Sequence, residues 1–483
     1  MRDRWRVGHE FPEGFELLLD RLLGKERRQF VELIGADLPV TFRFNPLKHS
    51  LEYQVSLLEQ QGFSFHALSA PQDAWQVDKA PYSIGKTFSH FTGHLYVQDL
   101  SSMLPPLALE PKAGELVLDM CASPGSKATQ IAALMANRGM LLANDSSRRR
   151  ARNLISNLRR LGVLNTAVSS CPGEQLGNLY FEQFDRVLLD PPCSALGTLH
   201  KSPSVLGWWT PARSHKLAAI QKGLLQAGLK ALKPGGVLVY STCTITPEEN
   251  EEVIQFALDH FPVELEPIQI KGLGIRSGLT EYARSRYDST LEQCVRLYPV
   301  DNPSEGFFLA RLRKQVSFGQ KRPSTIPVED LDLRVESDSE LFRAAVQVLD
   351  YYGIESGQLT DVSLLNGGHV VLLGSLELAH FPLTRHVITA GLPFARTNGP
   401  LGLTTEGVQL CGHRASCNYV ELDSVETLGS FLNRQDLEVH RPDSHQVVVL
   451  HQKMGIGHGL ISQNRLASRF PRSGIHFDFS PLH

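Results

Sequence analysis

Cys193 and Cys243 are the residues whose type and placement could do chemistry. Each follows an apolar run that reads as a strand, Cys193 in RVLLDPPCS and Cys243 in VLVYSTC. In α/β proteins reactive groups collect at the open carboxyl ends of strands. A thiolate attacks electrophilic carbon, and a neighbouring thiol can move a proton, so two cysteines can divide covalent attack from acid–base work. Asp190 precedes Cys193 on a stiff Asp-Pro-Pro turn, which sets a carboxylate at the same edge. A free cysteine taken alone is commonly an inert core residue. The two cysteines and the carboxylate are therefore weighed together.

The stretch LDMCASPGSKA, residues 118–128, reads as a strand-to-helix turn of small residues. Small side chains let a ligand approach the backbone, and the helix start offers unpaired N–H groups. Asp145 ends the next strand, where an acid can bind two ribose hydroxyls. The dinucleotide fingerprint G-x-G-x-x-G is absent, so turn and acid favour an adenosyl ligand without choosing between NAD and S-adenosylmethionine. Amino-directed methyltransferases often carry an aromatic after Asp-Pro-Pro; Cys193 in that place argues against adenine-N6 chemistry. Two thiols and a carboxyl beside a nucleoside pocket fit methylation at carbon 5 of cytosine. A thiolate adds to carbon 6, the resulting enamine attacks a sulfonium methyl, an acid near ring nitrogen 3 stabilises the adduct, and a base removes the carbon-5 proton. Spacing alone does not say which cysteine attacks.

The elements that must position these groups follow from periodicity. ELVLDM, MLLAND, RVLLD and VLVYST read as strands separated by helices, the longest around HKLAAIQKGLLQAGLKALKPGG. Strands alternating with helices imply a parallel sheet covered on both faces. Thr246-x-x-Glu249 with Pro247 between reads as a capping box, so a helix should open at Thr246 with its positive end near Cys243, where a thiol pKa falls. CVRLYP and GFFLARLR read as an antiparallel pair. Ahead of the core, a helical stretch over residues 11–36 precedes a small strand–helix–strand unit. KQVSFGQKRPSTIPVED reads as a linker, and beyond it come short strands and turns with few strong helices.

Composition narrows the classes. The 483 residues are 42% hydrophobic and 20% charged, with net charge -3, so RNA binding would need local basic patches. No apolar run reaches the ~20 residues of a membrane span, and MRDRWRVGHEFPEG lacks a signal-peptide core. Seven cysteines without a C-x-x-C pair point to reduced thiols in a cytoplasmic protein. Cys411-x-His413-x-x-x-Cys417 lacks metal-ligand spacing, and no metal is expected.

DMCASPGSKATQIA, NDSSRRRARNLISNLRRLG, FDRVLLDPPCSALGTLHKSP and VLVYSTCTITPEENEEVI closely resemble the RsmB/NOP (Sun) RNA cytosine-C5 methyltransferases. The resemblance spans about residues 40–313. It implies an α/β class I (Rossmann-like) methyltransferase core with S-adenosylmethionine as cofactor. It places Cys121, Ala122, Ser123, Pro124, Gly125, Ser126, Lys127, Asp145 and Asp190 in the cofactor pocket. It makes Cys243 the nucleophile and implicates Cys193 in proton removal and release, with Asp190 at ring nitrogen 3. The family's P-G-G-K is Pro124-Gly125-Ser126-Lys127 here, and C-S-G-x-G is Cys193-Ser194-Ala195-Leu196-Gly197. An acid often found after the third strand is replaced by Cys171 and Pro172, with Glu174 a possible substitute.

The tail, with HVITAGLPFART, Gly457 to Ile461 and the R-F-P-R run at Arg469 to Arg472, resembles bacterial RsmF-type 16S rRNA methyltransferases and implies a PUA-like domain. The expected layout is residues 1–112, an N-terminal helical and RRM-like α+β region; 113–316, the methyltransferase domain; 317–331, a linker; and 332–483, a mixed, PUA-like C-terminal region. The expected partner is RNA, 16S rRNA or the small subunit, acted on by a monomer. A tRNA target and a non-catalytic assembly factor are the alternatives. Lys201 is expected at the pocket rim against substrate. Six arginines between 148 and 160 could hold phosphates or form a solvated face. Trp208 and Trp209 could stack on bases or fill core, and Arg43 and Asn45 are likewise open.

Overall fold

The computed structural model describes residues 11–319, 339–355, 357, 362–397, 402–440 and 445–471. Most of the expected linker, and Arg472, lie outside the described residues. The core is built from strands β1 (Leu116–Asp119), β2 (Met140–Asn144), β3 (Thr166–Ser169), β4 (Phe184–Leu189), β5 (Leu232–Thr242), β6 (Val295–Leu297) and β7 (Phe307–Lys314). Their order is β6-β7-β5-β4-β1-β2-β3. β5, β4, β1, β2 and β3 run parallel, while β7 is antiparallel to both of its neighbours, β5 and β6. This is the doubly wound α/β core expected. The chain order reverses between β1 and β4, and that is where such sheets open a crevice for ligand.

Alternation puts Val237 and Val239 of β5 on one face and Leu238 and Tyr240 on the other, all buried. The first face packs against α1 (Ser126–Leu134) and α2 (Arg148–Arg160). The second packs against α3 (Pro211–Ala231) and α4 (Glu251–His260). Both faces are therefore apolar, as near-continuous hydrophobic strands require. Among the described residues no helix is long and apolar enough to cross a membrane.

The N-terminal unit is a four-stranded antiparallel sheet in the order Ser64–Ala67, Ala74–Lys79, Thr41–Phe44, Leu95–Val97, with helix Leu51–Gln60 after its first strand. The C-terminal unit holds a four-stranded and a five-stranded sheet. Among the described residues four α-helices accompany them, including the twelve-residue Glu340–Tyr351, more helix than the residue pattern suggests. One of its strands, β8 (Val387–Ala390), pairs antiparallel with β3 and extends the core sheet. Ser375 Oγ also bonds to the carbonyl of Gly139, and Glu377 accepts its N–H. A division at residue 332 does not anticipate that exchange.

Candidate active site

Asp119 of β1 pairs with Leu188 of β4, and Leu189 with Tyr240 of β5. The residues following each strand thus arrive at one edge. The Cys193 and Cys243 sulfurs lie 3.3 Å apart, unbonded. Asp190 is held from two sides: Lys127 Nζ lies 2.6 Å from Oδ2, and Ser241 Oγ donates to Oδ1 at 2.8 Å. The sequence-expected thiols, acid and lysine are brought together.

The contact with Cys243, and burial after it, hold the Cys193 thiol well above its ordinary value. Cys193 therefore stays protonated and can donate its S–H toward the other sulfur. Burial works to lower the Lys127 pKa, but the Asp190 carboxylate and the charge of Cys243 turn the balance upward, so this lysine remains cationic. Lys201, paired with Glu305, is also influenced by Cys243.

The expected capping box does not form. Pro247–Glu249 is a single 3₁₀ turn, and α4 starts only at Glu251, so the helix dipole lies farther from Cys243 than the pattern implied. Glu249, fully buried, turns inward instead. Its Oε2 accepts from the Ser194 N–H at 2.9 Å and from Gln221 Nε2 at 3.0 Å, and its Oε1 accepts from Thr246 Oγ1 at 2.9 Å. Three donors to one buried carboxylate outweigh a single cap bond. Ser194 Oγ meets Thr244 Oγ1 at 2.7 Å, and the Gly197 N–H donates to the Cys243 carbonyl at 2.9 Å. The two cysteine-bearing loops are bolted together.

On the cofactor side, Gly125 takes φ 109° at the start of α1, and a Cβ there would meet Leu154 at 3.1 Å. Ser126 has no such requirement, so serine is accepted where the family has glycine. Arg150 donates to the Ser123 carbonyl at 2.9 Å, and Asn157 to that of Pro124 at 2.9 Å, so α2 fixes the loop. Asp145 is buried, one oxygen bonded to the Ser147 N–H and the other 3.4 Å from Arg150. Burial and its acidic neighbours push the Cys121 thiol up, keeping it neutral.

Asp119 was not singled out from sequence. It is 1% exposed, and neither carboxylate oxygen has a hydrogen-bond partner among the described residues; Ser123 Oγ is also unpartnered. Burial first, then Asp190, pushes Asp119 up to about 7. A buried, orphaned acid beside a small-residue turn suits a cationic ligand such as a sulfonium. The signal was present: LVLD, LLAND and LLD each end a core strand in an acid.

A family described as 16S rRNA methyltransferase RsmB/F matches residues 106–313. The ribosomal RNA small subunit methyltransferase F of Aeromonas salmonicida is 31% identical over 463 residues, covering 92% of this chain and 92% of its own. The chain belongs to the RsmB/F methyltransferase family. Four other F-type relatives align over only 61–64% of their own length, and that of Vibrio atlanticus over 74%. The tRNA (cytosine(49)-C(5))-methyltransferase of Pyrococcus abyssi is 35% identical over 311 residues, 63% of this chain and 99% of that protein. A crystal structure of a methyltransferase homolog from Pyrococcus horikoshii aligns with TM-score 0.57 at 39% identity, covering 64% of this chain and 96% of that one. S-adenosylmethionine is the cofactor of this RsmB/F chain, and the residues around the turn fit it.

The remaining sequence candidates divide in this RsmB/F protein. Arg43 is buried, bonded to Gln98, Ser126 and Thr129, and Asn45 bonds to the carbonyls of Gly93 and Leu161, so both fasten the N-terminal sheet to the core. Trp209 is buried beside Phe15, whereas Trp208 is exposed under Arg213. Of the arginines on α2, Arg150 holds the cofactor loop and Arg160 the carbonyls of His90 and Leu95, while Arg148, Arg149 and Arg152 are exposed. Glu174 is exposed on a 3₁₀ turn against Gly223. Beside Lys201, carboxyl and imidazole atoms of Asp99, His200 and Glu305 lie within 4.8 Å of one another, a cluster the spacing does not reveal.

Proposed function

We propose that this protein methylates carbon 5 of a cytosine in 16S rRNA through a covalent bond between Cys243 and carbon 6 of the ring. The observation that carries the reading is the pair of sulfurs 3.3 Å apart above Asp190. When bound against residues 121–127, Asp119 and Asp145, S-adenosylmethionine supplies an electrophilic methyl group on sulfur. Cys243, as a thiolate, adds to carbon 6 and sends the ring's electrons toward carbon 5. Asp190, fixed by Lys127 and Ser241, holds the edge of the base at nitrogen 3. Carbon 5 would take the methyl group, the methyl–sulfur electron pair staying with the cofactor's sulfur; Cys193, as a thiolate, then takes the carbon-5 proton, the carbon 6–sulfur bond breaks, and its electron pair returns to Cys243. Once Cys243 is bonded to carbon, the contact that chiefly keeps Cys193 protonated is gone. Cys193 can then release its own proton to solvent and be present as the thiolate that the proton-removal step needs.

The target cytosine must leave its stack to reach Cys243, and Lys201 at the rim is positioned for the RNA backbone. The same reading makes the N-terminal sheet and the PUA-like C-terminal unit RNA-holding elements of a cytoplasmic monomer. A tRNA target is the second reading, supported by the Pyrococcus abyssi relative.

Cys243→Ala should abolish methyl transfer and form no adduct, while Cys193→Ala should accumulate a protein–RNA species that survives a denaturing gel. An adduct with Cys243→Ala but none with Cys193→Ala would reverse the two roles. Bisulfite sequencing of RNA from cells with and without the gene tests the target; a lost tRNA site with intact rRNA sites would overturn the 16S assignment.

A further inference from the structure

A second concave surface, of about 460 Å³, lies where α2 meets the C-terminal unit. Strand β8 lines it, together with Arg159 of α2, Arg396 of strand Leu392–Arg396, and Thr405. Arg159 is half-buried, and its Nε is shut off from solvent without a hydrogen-bond partner. A guanidinium N–H left this way has lost water and gained nothing in return. Arg396 is exposed, and among the described residues no carboxylate forms an ion pair with either arginine. The carboxylate in the lining, Glu406, acts on the half-buried Lys48.

A third arginine bears on the same seam. Arg469 donates its N–H to the carbonyl of His458, and Pro471, two residues on, lines the groove. Burial, then the charges of Arg396 and Arg469, push His458 down to about 4. The charges of both arginines are thus felt at one buried imidazole. The three arginines come from three separate segments: a core helix, a strand of the four-stranded sheet, and the R-F-P run. The chain as a whole carries a net charge of -3, so this local excess is set against the global balance.

We propose that this groove grips backbone phosphates of the RNA substrate, forming a second RNA contact at the seam between the methyltransferase core and the C-terminal unit. It rests on the reading of the cleft as RNA-modifying. Arginine forks suit phosphate oxygens, and unpaired ones are free to replace counterions along a polyanion. The seam is also locked by the β8–β3 pairing, so phosphates held there are held at a fixed offset from the catalytic edge.

The test is fluorescence anisotropy of the full chain with a labelled RNA hairpin, titrated over a range of KCl concentrations. The triple variant Arg159→Gln, Arg396→Gln, Arg469→Gln should weaken binding at least tenfold near ~0.1 M salt. It should also flatten the slope of log affinity against log salt by about 2, since each phosphate no longer neutralised changes that slope by roughly 0.7–0.9. The triple Arg→Lys variant should keep most of that slope. Unfolding midpoint and binding of S-adenosylhomocysteine should match the wild type in both. A glutamine variant that is folded and binds S-adenosylhomocysteine but keeps the wild-type slope overturns the groove. So does inorganic phosphate that stabilises wild type but not the variant while the RNA slope is unchanged, since the groove would then hold a free anion. The slope is read without methyl transfer. A flattened slope in a chain that transfers no methyl group would keep the groove and overturn the reading of the cleft.

Discussion

The two halves of the cleft solve opposite problems. On the thiol side Glu249 and Asn250 are satisfied internally: Glu249 takes three donors, and Asn250 accepts from Thr242 and donates to the carbonyl of Thr244. On the cofactor side Asp119 and Ser123 are buried with oxygens unpaired. A fully satisfied buried network is rigid, whereas orphaned groups raise the energy of the empty protein and are relieved by a ligand. The thiols are held for geometry, the cofactor turn for affinity. Changes on the first side should therefore cost stability and position together. Changes on the second should trade one for the other.

The largest effect is expected where the two cysteine loops touch. A Cβ at Gly197 would lie 1.9 Å from the Gly306 carbonyl oxygen and 2.8 Å from that of Cys243. Both partners are backbone, so Gly197→Ala must push the loops apart, at about 3 kcal/mol in urea unfolding and with loss of most methyl transfer. Glu249→Ala comes next, because it leaves the Ser194 N–H buried without a partner and takes from the Gln221 amide one of its two acceptors, the Pro192 carbonyl being the other, at about 2–3 kcal/mol. If either variant kept wild-type stability, the thiol side would not be the rigid half.

Much of this was legible in the sequence because strand ends declare themselves. Apolar runs of four to six residues ending in Asp119, Asp145, Asp190 or Ser-Thr-Cys mark the sheet, and adjacency of Cys193 and Cys243 follows once β4 and β5 are parallel. What misled was a local pattern read locally. Thr246-Pro-Glu-Glu249 is a sound capping box until a distant loop offers Glu249 better donors, and nothing within four residues reports that. β8 was hidden for the same reason, since pairing with β3 joins residues more than two hundred positions apart. The arginines of α2 look alike in sequence; bonds to backbone carbonyls of distant segments set Arg150 and Arg160 apart from the exposed Arg148, Arg149 and Arg152.

Asp119 sharpens the comparison through pH. Its folded pKa is raised to about 7, by burial first and Asp190 second, from an ordinary value of 3.8. Between those values the folded chain binds the proton that the unfolded chain has released. Stability of the cofactor-free protein from this group should therefore be full below pH ~4, fall as pH rises, and level off above ~7. Asp119→Asn should remove that decline, leaving the empty protein more stable at pH 8 by on the order of 2 kcal/mol. It should also weaken S-adenosylmethionine about tenfold, because the ionised carboxylate that a cation favours is gone. Thermal unfolding at pH 5 and pH 8, with calorimetric titration of cofactor, reads both. A variant less stable than wild type at pH 8 would place Asp119 with the satisfied groups instead.

The smallest effect is expected two residues before Gly197. Ala195 sits at φ 58° where the resembling motif has glycine, and its methyl packs against the cluster around Leu196 and Trp209. Ala195→Gly relieves a left-handed conformation worth ~1–2 kcal/mol to an L-residue. It also gives up most of the ~0.8 kcal/mol of a buried methyl and adds ~0.5–1 kcal/mol of backbone entropy to the unfolded chain. These terms oppose one another, so the unfolding free energy should move by no more than about 0.5 kcal/mol, with methyl transfer unchanged. The same loop would then tolerate glycine at 195 and reject alanine at 197. The difference lies in what a Cβ meets: side chains that can adjust at 195, two backbone carbonyls at 197. A loss of activity in Ala195→Gly without loss of stability would mean that the methyl group sets the position of Cys193.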